Sequence, residues 1–343
     1  MEVAVFIKSF NRPHYLDRCI SSVYQYVNGG FQIVVLDDGT PDKYLEKIKN
    51  KYPEIEIRKS KNHQKKQISV EENIKFGTPI NGFQIPTEMW VDAVKQASDY
   101  FIMTEDDVWF TSDINLNQLI SECKKFDIHL LKLGWLGNSS EDADLDLFPL
   151  SEKINATVPK GLFLSNEKVM EAFFYNKYRF FSILYKLGKV DHTTQRKYWV
   201  LNSILMGLYK KEYWLQIWKN MEGRVDEKRQ IINATSYYRK HKNNPYFLAK
   251  TKSEVMRTTF QSSATGSYHQ YGFDFEVNHF NHVLNEAWFL DKLDVLENFP
   301  QDFSEEYVLK ILEDNSLKVS GLNWKKWAEK FREQYKNLGC DVE

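Results

Sequence analysis

Residues 3–13 read Val-Ala-Val-Phe-Ile-Lys-Ser-Phe-Asn-Arg-Pro, and this stretch decides how the rest of the chain is read. Its first five side chains form an unbroken apolar run rich in β-branched residues, the signature of a strand buried on both faces. The run ends in a polar turn, Ser9-Phe10-Asn11-Arg12, and Pro13 suits the first position of a helix. Leu16, Ile20, Val23 and Val27 then recur at helical spacing and line one face, until Gly29-Gly30 stops the helix. A second buried run at residues 33–36 ends in Asp37-Asp38-Gly39. Thr40 and Pro41 follow as an expected N-cap and first helical residue, ahead of Tyr44, Leu45 and Ile48 on one face.

The same alternation continues outward. Ile55 and Ile57 mark a short third strand. The basic stretch 59–66 has no apolar period and reads as loop. Thr87 caps a helix with Trp90, Val91, Val94 and Ala97 turned inward, and a fourth strand at residues 100–103 ends in Thr104-Glu105-Asp106-Asp107. Leu116, Leu119, Ile120, Cys123 and Phe126 supply the next helix. Strands alternating with helices imply an α/β fold with a mostly parallel sheet flanked by helices.

Beyond residue 128 the pattern thins. We expect a strand at 128–133, an acidic surface loop at 141–146, a short strand at 161–164 and a helix through Met170, Phe173 and Phe174. Residues 198–209 read as buried, and helices are expected at 212–218, 284–296, 307–312 and 324–335. A break at Pro300 divides a body, residues 1–299, from a helical C-terminal extension, residues 300–343. Within the body, residues 1–133 form the better-patterned half and 134–299 the other.

Composition narrows the class. The 343 residues hold 46 basic and 47 acidic side chains, for a formal charge of −1. Bulk attraction to a polyphosphate backbone is therefore missing, and nucleic acid is not an expected partner. With 23 Phe, 19 Tyr and 9 Trp against only 15 Gly and 9 Pro, the chain can build a large core, which rules out a low-complexity or collagen-like design. Cys19, Cys123 and Cys340 are too few and too far apart for a disulfide framework or a Cys-x-x-Cys metal site. No apolar run reaches the roughly 18 residues of a membrane span. These features point to a cytoplasmic protein, or one peripheral at the inner face of a membrane.

In open parallel sheets, ligands bind where the strands end and the crossover helices begin. Three such ends carry polar chemistry. An aromatic and an amide, Phe10 and Asn11, can flank a planar base. Carboxylates at Asp37 and Asp38 only accept hydrogen bonds, which matches a pyrimidine N–H and ribose hydroxyls. A diphosphate near Asp106 and Asp107 would be repelled unless a hard cation stood between, and Mg²⁺ or Mn²⁺ needs only one or two carboxylates beside the phosphate oxygens. Neither Gly-x-Gly-x-x-Gly nor Gly-x-x-x-x-Gly-Lys-Ser/Thr is present, so dinucleotide and P-loop phosphate cradles are excluded.

Residues 3–13, residues 33–40 (Ile-Val-Val-Leu-Asp-Asp-Gly-Thr) and residues 100–109 (Tyr-Phe-Ile-Met-Thr-Glu-Asp-Asp-Val-Trp), in that order and spacing, resemble the nucleotide-binding half of GT-A glycosyltransferases of the family-2 type. The resemblance covers about the first third of the chain. It implies a Rossmann-like GT-A fold and a nucleotide-sugar donor, commonly a UDP-sugar. Ser9, Phe10, Asn11, Arg12, Asp37, Asp38 and Asp106 would contact that donor. Asp106 and Asp107 would occupy the family's DxD-type metal site, with Asp107 the leading ligand. The metal would be Mn²⁺ or Mg²⁺.

Further along, residues 205–214 resemble the segment that precedes the family's catalytic base, which places that role at Asp226 or Glu227. The base would deprotonate an acceptor hydroxyl attacking in line with the diphosphate, so the anomeric configuration inverts. A C-terminal histidine completes the metal shell in many GT-A enzymes; His269 is the leading candidate, then His279 and His282. Two departures matter: Glu105 opens the metal motif where Asp is usual, and no Gln-x-x-Arg-Trp occurs. Addition of one sugar to a glycan, glycolipid or protein-linked acceptor is therefore expected, in place of processive synthesis.

Each acidic pair also has a plain structural reading as a turn or helix cap, and Asp226 and Glu227 suit a helix N-terminus through the macrodipole. The Trp324/Trp327 face is better explained by packing than by membrane contact. Two other functions remain as alternatives. A sugar nucleotidyltransferase would want a Gly-rich loop where this chain has Ser9-Phe10-Asn11-Arg12. A non-catalytic carbohydrate-binding protein would need aromatic platforms without clustered acids.

Overall fold

The computed structural model describes residues 2–80, 83–138, 143–262, 272, 275–313, 317 and 319–342. Its contacts group the chain into two compact units. What we term the N-terminal unit comprises Val5–Phe83, Thr104–Asn115 and Val255–Glu343; the central unit comprises Met1–Ala4, Gln84–Met103 and Leu116–Glu254.

The chain opens as the apolar run requires. Strand β1 (Val3–Ser9) is buried almost throughout and leads through the turn into α1 (Pro13–Tyr26), with Pro13 in its first turn. Asn11 sits in this turn at φ 52°, a left-handed conformation that asparagine tolerates better than most residues. After β2 (Val27–Asn28) comes β3 (Phe31–Asp37), then α2 (Asp42–Lys51). This helix starts slightly later than the Thr40–Pro41 signal implied, because the Thr40 hydroxyl donates to Asp37 Oδ2 at 2.6 Å and does not cap it. Strand β4 (Glu56–Lys59) runs parallel to β3, with Val34 opposite Glu56 and Asp37 opposite Lys59.

The stretch 59–66 is loop only at residues 60–62, which corrects the sequence reading: Lys59 ends β4, and His63–Lys66 begin α3 (His63–Phe76). An apolar period is missing because the buried stripe of α3 is mainly polar. His63, Lys66, Val70 and Asn73 face inward at helical spacing.

The central unit takes α4 (Thr87–Gln96) and most of β5 (Tyr100–Glu105). The chain returns to the N-terminal unit for β6 (Val108–Phe110) and β7 (Ile114–Asn115), the latter paired with β2. Helix α5 (Leu116–Phe126) and β8 (Leu130–Lys132) follow, then β9 (Leu145–Pro149) and β10 (Ile154–Pro159). The expected strand at 161–164 is absent, and part of the expected acidic loop is β9. Pairing explains the difference: β10 is held by β12 (Leu248–Thr251), with Ile154 opposite Thr251. So distant a partner leaves no mark in the local sequence.

Between β10 and β12 lie α6 (Glu167–Phe174), α7 (Phe180–Lys186), β11 (Gly207–Lys210), α8 (Lys211–Ile217) and α9 (Glu227–His241). Strands run β4-β3-β1 in the N-terminal unit and β5-β11-β8-β12-β10-β9 in the central unit. Strand β11 is antiparallel to both β5 and β8, whereas β8 and β12 are parallel. The sheet is thus mixed and flanked by helices, the architecture of a GT-A, Rossmann-like fold.

The remainder belongs to the N-terminal unit: β13 (Met256–Thr258), which pairs with β6, then α10 (Val277–Phe289), α11 (Glu305–Glu313) and α12 (Gly321–Lys336). Helix α10 begins earlier than the apolar residues of 284–296 suggested. The Glu276 side chain caps it, and its first turns bury Asn278 and Asn281, so the apolar period starts late. The helical tail carries its tryptophans inward as expected from packing: Trp324 stacks on Phe280 at 5.7 Å and Trp327 on Phe275 at 5.2 Å. No described helix is long and apolar enough to cross a membrane.

Candidate active site

Both acidic pairs of the N-terminal unit converge on the turn between β1 and α1. The backbone N–H of Asp38 donates to Ser9 O at 3.0 Å, and that of Asn11 donates to Thr40 Oγ1 at 2.8 Å. From the other side, Phe10 N–H donates to Asp106 Oδ2 at 3.0 Å, and Asp106 N–H donates to Lys8 O at 2.9 Å. One short polar turn therefore ties together the ends of β1, β3 and β5.

Within each pair the two acids differ. Asp37 is fully buried and saturated. It accepts from Gly39 N–H at 3.0 Å, Thr40 N–H at 2.9 Å and the Thr40 hydroxyl, and His63 Nε2 lies 2.9 Å from its Oδ1. Asp38 pairs through Oδ2 with Lys66; among the described residues its Oδ1 lacks a partner in good hydrogen-bond geometry, although Ser60 helps to lower its pKa. Burial raises the Asp38 carboxyl above its usual range, with Asp37 adding to the shift and Lys66 opposing it. Gly39, at φ 135°, allows this close packing, since a Cβ there would stand 2.7 Å from Lys66 Cβ and 3.3 Å from the Phe10 ring.

The second pair repeats the division. Asp106 is 1% exposed, and both its oxygens are engaged, Oδ2 by Phe10 N–H and Oδ1 by Arg12 Nη2 at 2.5 Å. Asp107 accepts from Arg12 Nη1 at 2.6 Å through Oδ2, while its Oδ1 is buried without a partner among the described residues. Burial pushes both carboxyls above their ordinary range, with Arg12 pulling the other way. Burial likewise opposes the charge on Arg12, but Asp106, Asp107 and Glu105 outweigh it, so the guanidinium is held more firmly protonated than usual. Lys8 pairs with Glu105 at 2.5 Å. With every carboxyl ionised, the three acids outnumber the two cations among the described residues.

Among the described residues, no group of three or more His, Cys, Asp or Glu side chains is disposed to hold a metal ion. A divalent ion carried in on a diphosphate is a different case, because one carboxylate oxygen suffices beside the phosphate oxygens. Asp107 Oδ1, orphaned within this acid-rich cluster, fits that role. Both oxygens of Asp106 already accept a hydrogen bond, so an ion there would share an oxygen with Phe10 N–H or Arg12.

Asp226, in the central unit, caps α9: its Oδ1 accepts from Arg229 N–H at 2.9 Å and its Oδ2 from Tyr175 hydroxyl at 2.7 Å. Partial burial acts to raise its pKa, but these bonds and the charges of Arg224 and Arg229 prevail and lower it. Glu227 is exposed in the first turn of α9. His269 lies outside the described residues. His279 Nε2 is 3.3 Å from Asn73 O. Burial lowers the pKa of His282, against the pull of Glu286.

Sequence reading missed Lys66 and His63, which complete the Asp37–Asp38 turn, and the polar ladder behind Asn11. Asn11 Nδ2 donates to Asn278 Oδ1 at 3.1 Å, and Asn285 Nδ2 donates to Asn11 O at 3.0 Å. Asn278 Nδ2 donates in turn to Asn73 Oδ1 at 3.0 Å. The available signal was spacing: His63, Lys66, Val70 and Asn73 share one helical face, as an apolar stripe would.

Residues 4–77 match glycosyl transferase family 2. No curated protein matches the sequence. Among solved structures, the chain is similar to residues 1–349 of S. aureus TarS in complex with UDP-GlcNAc, at 12% identity and a TM-score of 0.42 over 97% of this chain and 81% of that one. A longer S. aureus TarS structure is matched over 85% of this chain but only 43% of its own length, at 10% identity and a TM-score of 0.41. Glucosyl-3-phosphoglycerate synthase from Mycobacterium tuberculosis, bound to Mn²⁺, UDP and glucosyl-3-phosphoglycerate, is matched at 9% identity and a TM-score of 0.37, over 85% of this chain and 81% of that one.

Proposed function

We propose, for a chain that is a family-2-like glycosyltransferase of GT-A type by its matched segment and its sheet, that it moves one sugar from a UDP-sugar to an acceptor hydroxyl with inversion. The observation behind this reading is the shared design of the two acidic pairs. Each has one acid locked into the fold and one, Asp38 or Asp107, paired to a cation through a single oxygen. Asp38 would accept from the base and ribose, and Phe10 would flank the base. Asp107 would hold the divalent ion on the diphosphate. When bound, that ion would stabilise charge developing on the departing diphosphate.

This chain's own groups do the rest. Arg12 orients Asp107 and favours its charged form against burial, Lys66 does the same for Asp38, and the Asn11 ladder holds the turn between them. The acceptor is a glycan, glycolipid or protein-linked hydroxyl. Thermal denaturation with UDP, GDP, ADP and Mn²⁺ tests the core of the proposal, because a ligand of the folded state raises its midpoint by mass action. UDP should raise the midpoint, and further with Mn²⁺. A flat response to every nucleoside diphosphate, with or without metal, would sink the reading.

Asp226 is our candidate for the base that takes the acceptor proton, with exposed Glu227 behind it. Its capping role gives a clean separation of functions, since Asn caps a helix about as well as Asp but cannot accept a proton as a base. Asp226→Asn should therefore lower the thermal midpoint only by the small share that the charge adds to the cap, while transfer falls by about 10²–10⁴-fold. Full activity in Asp226→Asn would leave Asp226 a cap and nothing more. Because its pKa is lowered in the folded state, the stabilisation from the charged cap is present at neutral pH. It is lost only as pH falls through that lowered value.

A further inference from the structure

Helix α7 of the central unit is apolar and only partly covered: Phe181 packs on Phe173 at 5.4 Å, while other apolar side chains stay exposed. Helix α7 reads Phe-Phe-Ser-Ile-Leu-Tyr-Lys, and none of its side chains is buried. Ile183 is 50% exposed, and Leu187 just beyond the helix 65%. Tyr178 ahead of it is 93% exposed. Scattered apolar residues on a surface need no explanation, but a contiguous exposed cluster marks an interaction site.

The backbone is arranged to present this cluster. Asn176, Tyr178 and Arg179 adopt left-handed φ values of 51°, 56° and 57°, a strained conformation for bulky side chains. Asn176 fastens the turn, its Nδ2 donating to Ser182 Oγ at 2.9 Å and its Oδ1 accepting from Ser182 N–H at 3.1 Å. Tyr178 and Arg179 project from that turn.

Charge identifies the occupant. Between residues 175 and 197 the only carboxylate is Asp191, and its Oδ1 accepts from Thr193 and Thr194. Lys177 and Lys197 are paired, with Glu171 and Asp144. Arg179, Lys186, Lys189 and Arg196 make no ion pair among the described residues. A second copy seated on this face through a two-fold axis would set these cations against their own images, which is repulsive. An exposed apolar cluster flanked by unpaired Lys and Arg, with a tyrosine at its tip, matches the boundary between acyl chains and anionic headgroups.

We infer that residues 178–196 form a docking surface for an anionic lipid bilayer, in which Tyr178, Ile183 and Leu187 enter the headgroup boundary while Arg179, Lys186, Lys189 and Arg196 meet the phosphates. The inference does not depend on the transferase reading.

Co-sedimentation of the full chain with vesicles tests it. The chain should bind phosphatidylcholine vesicles containing phosphatidylglycerol, release them as salt rises, and ignore pure phosphatidylcholine. Lys186→Gln/Lys189→Gln should weaken binding at least tenfold, at roughly fivefold per charge removed. Tyr178→Ser/Leu187→Ser should abolish it, with the thermal midpoint unchanged in both variants because every altered side chain is exposed. Binding that ignores lipid charge, failure to bind either vesicle, or binding unmoved in both variants would overturn the proposal. So would a dimer in sedimentation equilibrium that Leu187→Ser dissociates, since a second copy would then cover the face.

Discussion

Arg12→Met is expected to lower stability by about 3–5 kcal/mol, the usual effect of removing one partner from a buried ion pair, and to abolish nucleotide binding with it. Among the described residues, Arg12 is the group that holds Asp106 Oδ1 and Asp107 Oδ2, at 2.5 and 2.6 Å. Without it Asp106, Asp107 and Glu105 are left with Lys8 as their cation among the described residues, so the buried acids lose their compensating charge. Lysine keeps the charge but offers a point donor where a planar fork now spans two acids, so Arg12→Lys should recover only part of the loss.

A double variant makes the argument specific. In Arg12→Met/Asp106→Asn the buried charge is removed along with its partner. The combined loss should fall short of the summed single losses by about 1–3 kcal/mol. Urea midpoints of the three variants are the measurement. Additive losses would mean that Arg12 stabilises the turn by packing alone.

Asp107→Asn should lower transfer on the order of 10²–10³-fold, the scale for removing one group that stabilises transition-state charge, while leaving the fold intact. The amide oxygen can still accept from Arg12, so the turn is kept and only the anionic Oδ1 is lost. The effect should therefore appear in metal dependence: nucleotide binding without metal persists, and its enhancement by Mn²⁺ disappears. Asp106→Asn should do the reverse. Its oxygens are consumed inside the fold by Phe10 N–H and Arg12, so the change should reduce stability and leave metal enhancement in place. Calorimetric titration of UDP into both variants, with and without Mn²⁺, separates them. Unchanged metal dependence in Asp107→Asn would remove Asp107 from the ion.

The first strand, its turn and its helix were legible in the sequence because every level of organisation agrees there: β-branched run, polar stop, proline at the helix start, apolar face. Residues 59–66 were not. A charge run is normally solvated, and only contact with Asp37 and Asp38 makes it worthwhile to bury His63 and Lys66. Helix α10 was placed late for the same reason, since a face lined by Asn278, Asn281 and Asn285 has no hydrophobic period to read. Strands β9 and β10 escaped because their pairing runs to β12, far along the chain.

Composition and local order determined, without any coordinates, an α/β chain whose strand ends bear acidic pairs, since hydrophobic period and turn chemistry are properties of neighbouring residues. Which acid of each pair is spent on the fold, and which keeps an oxygen in reserve, only the tertiary structure decided. Asp37 and Asp38, like Asp106 and Asp107, are chemically identical, and what divides them is the set of donors that Thr40, Phe10, Lys66 and Arg12 bring to one side chain and withhold from the other.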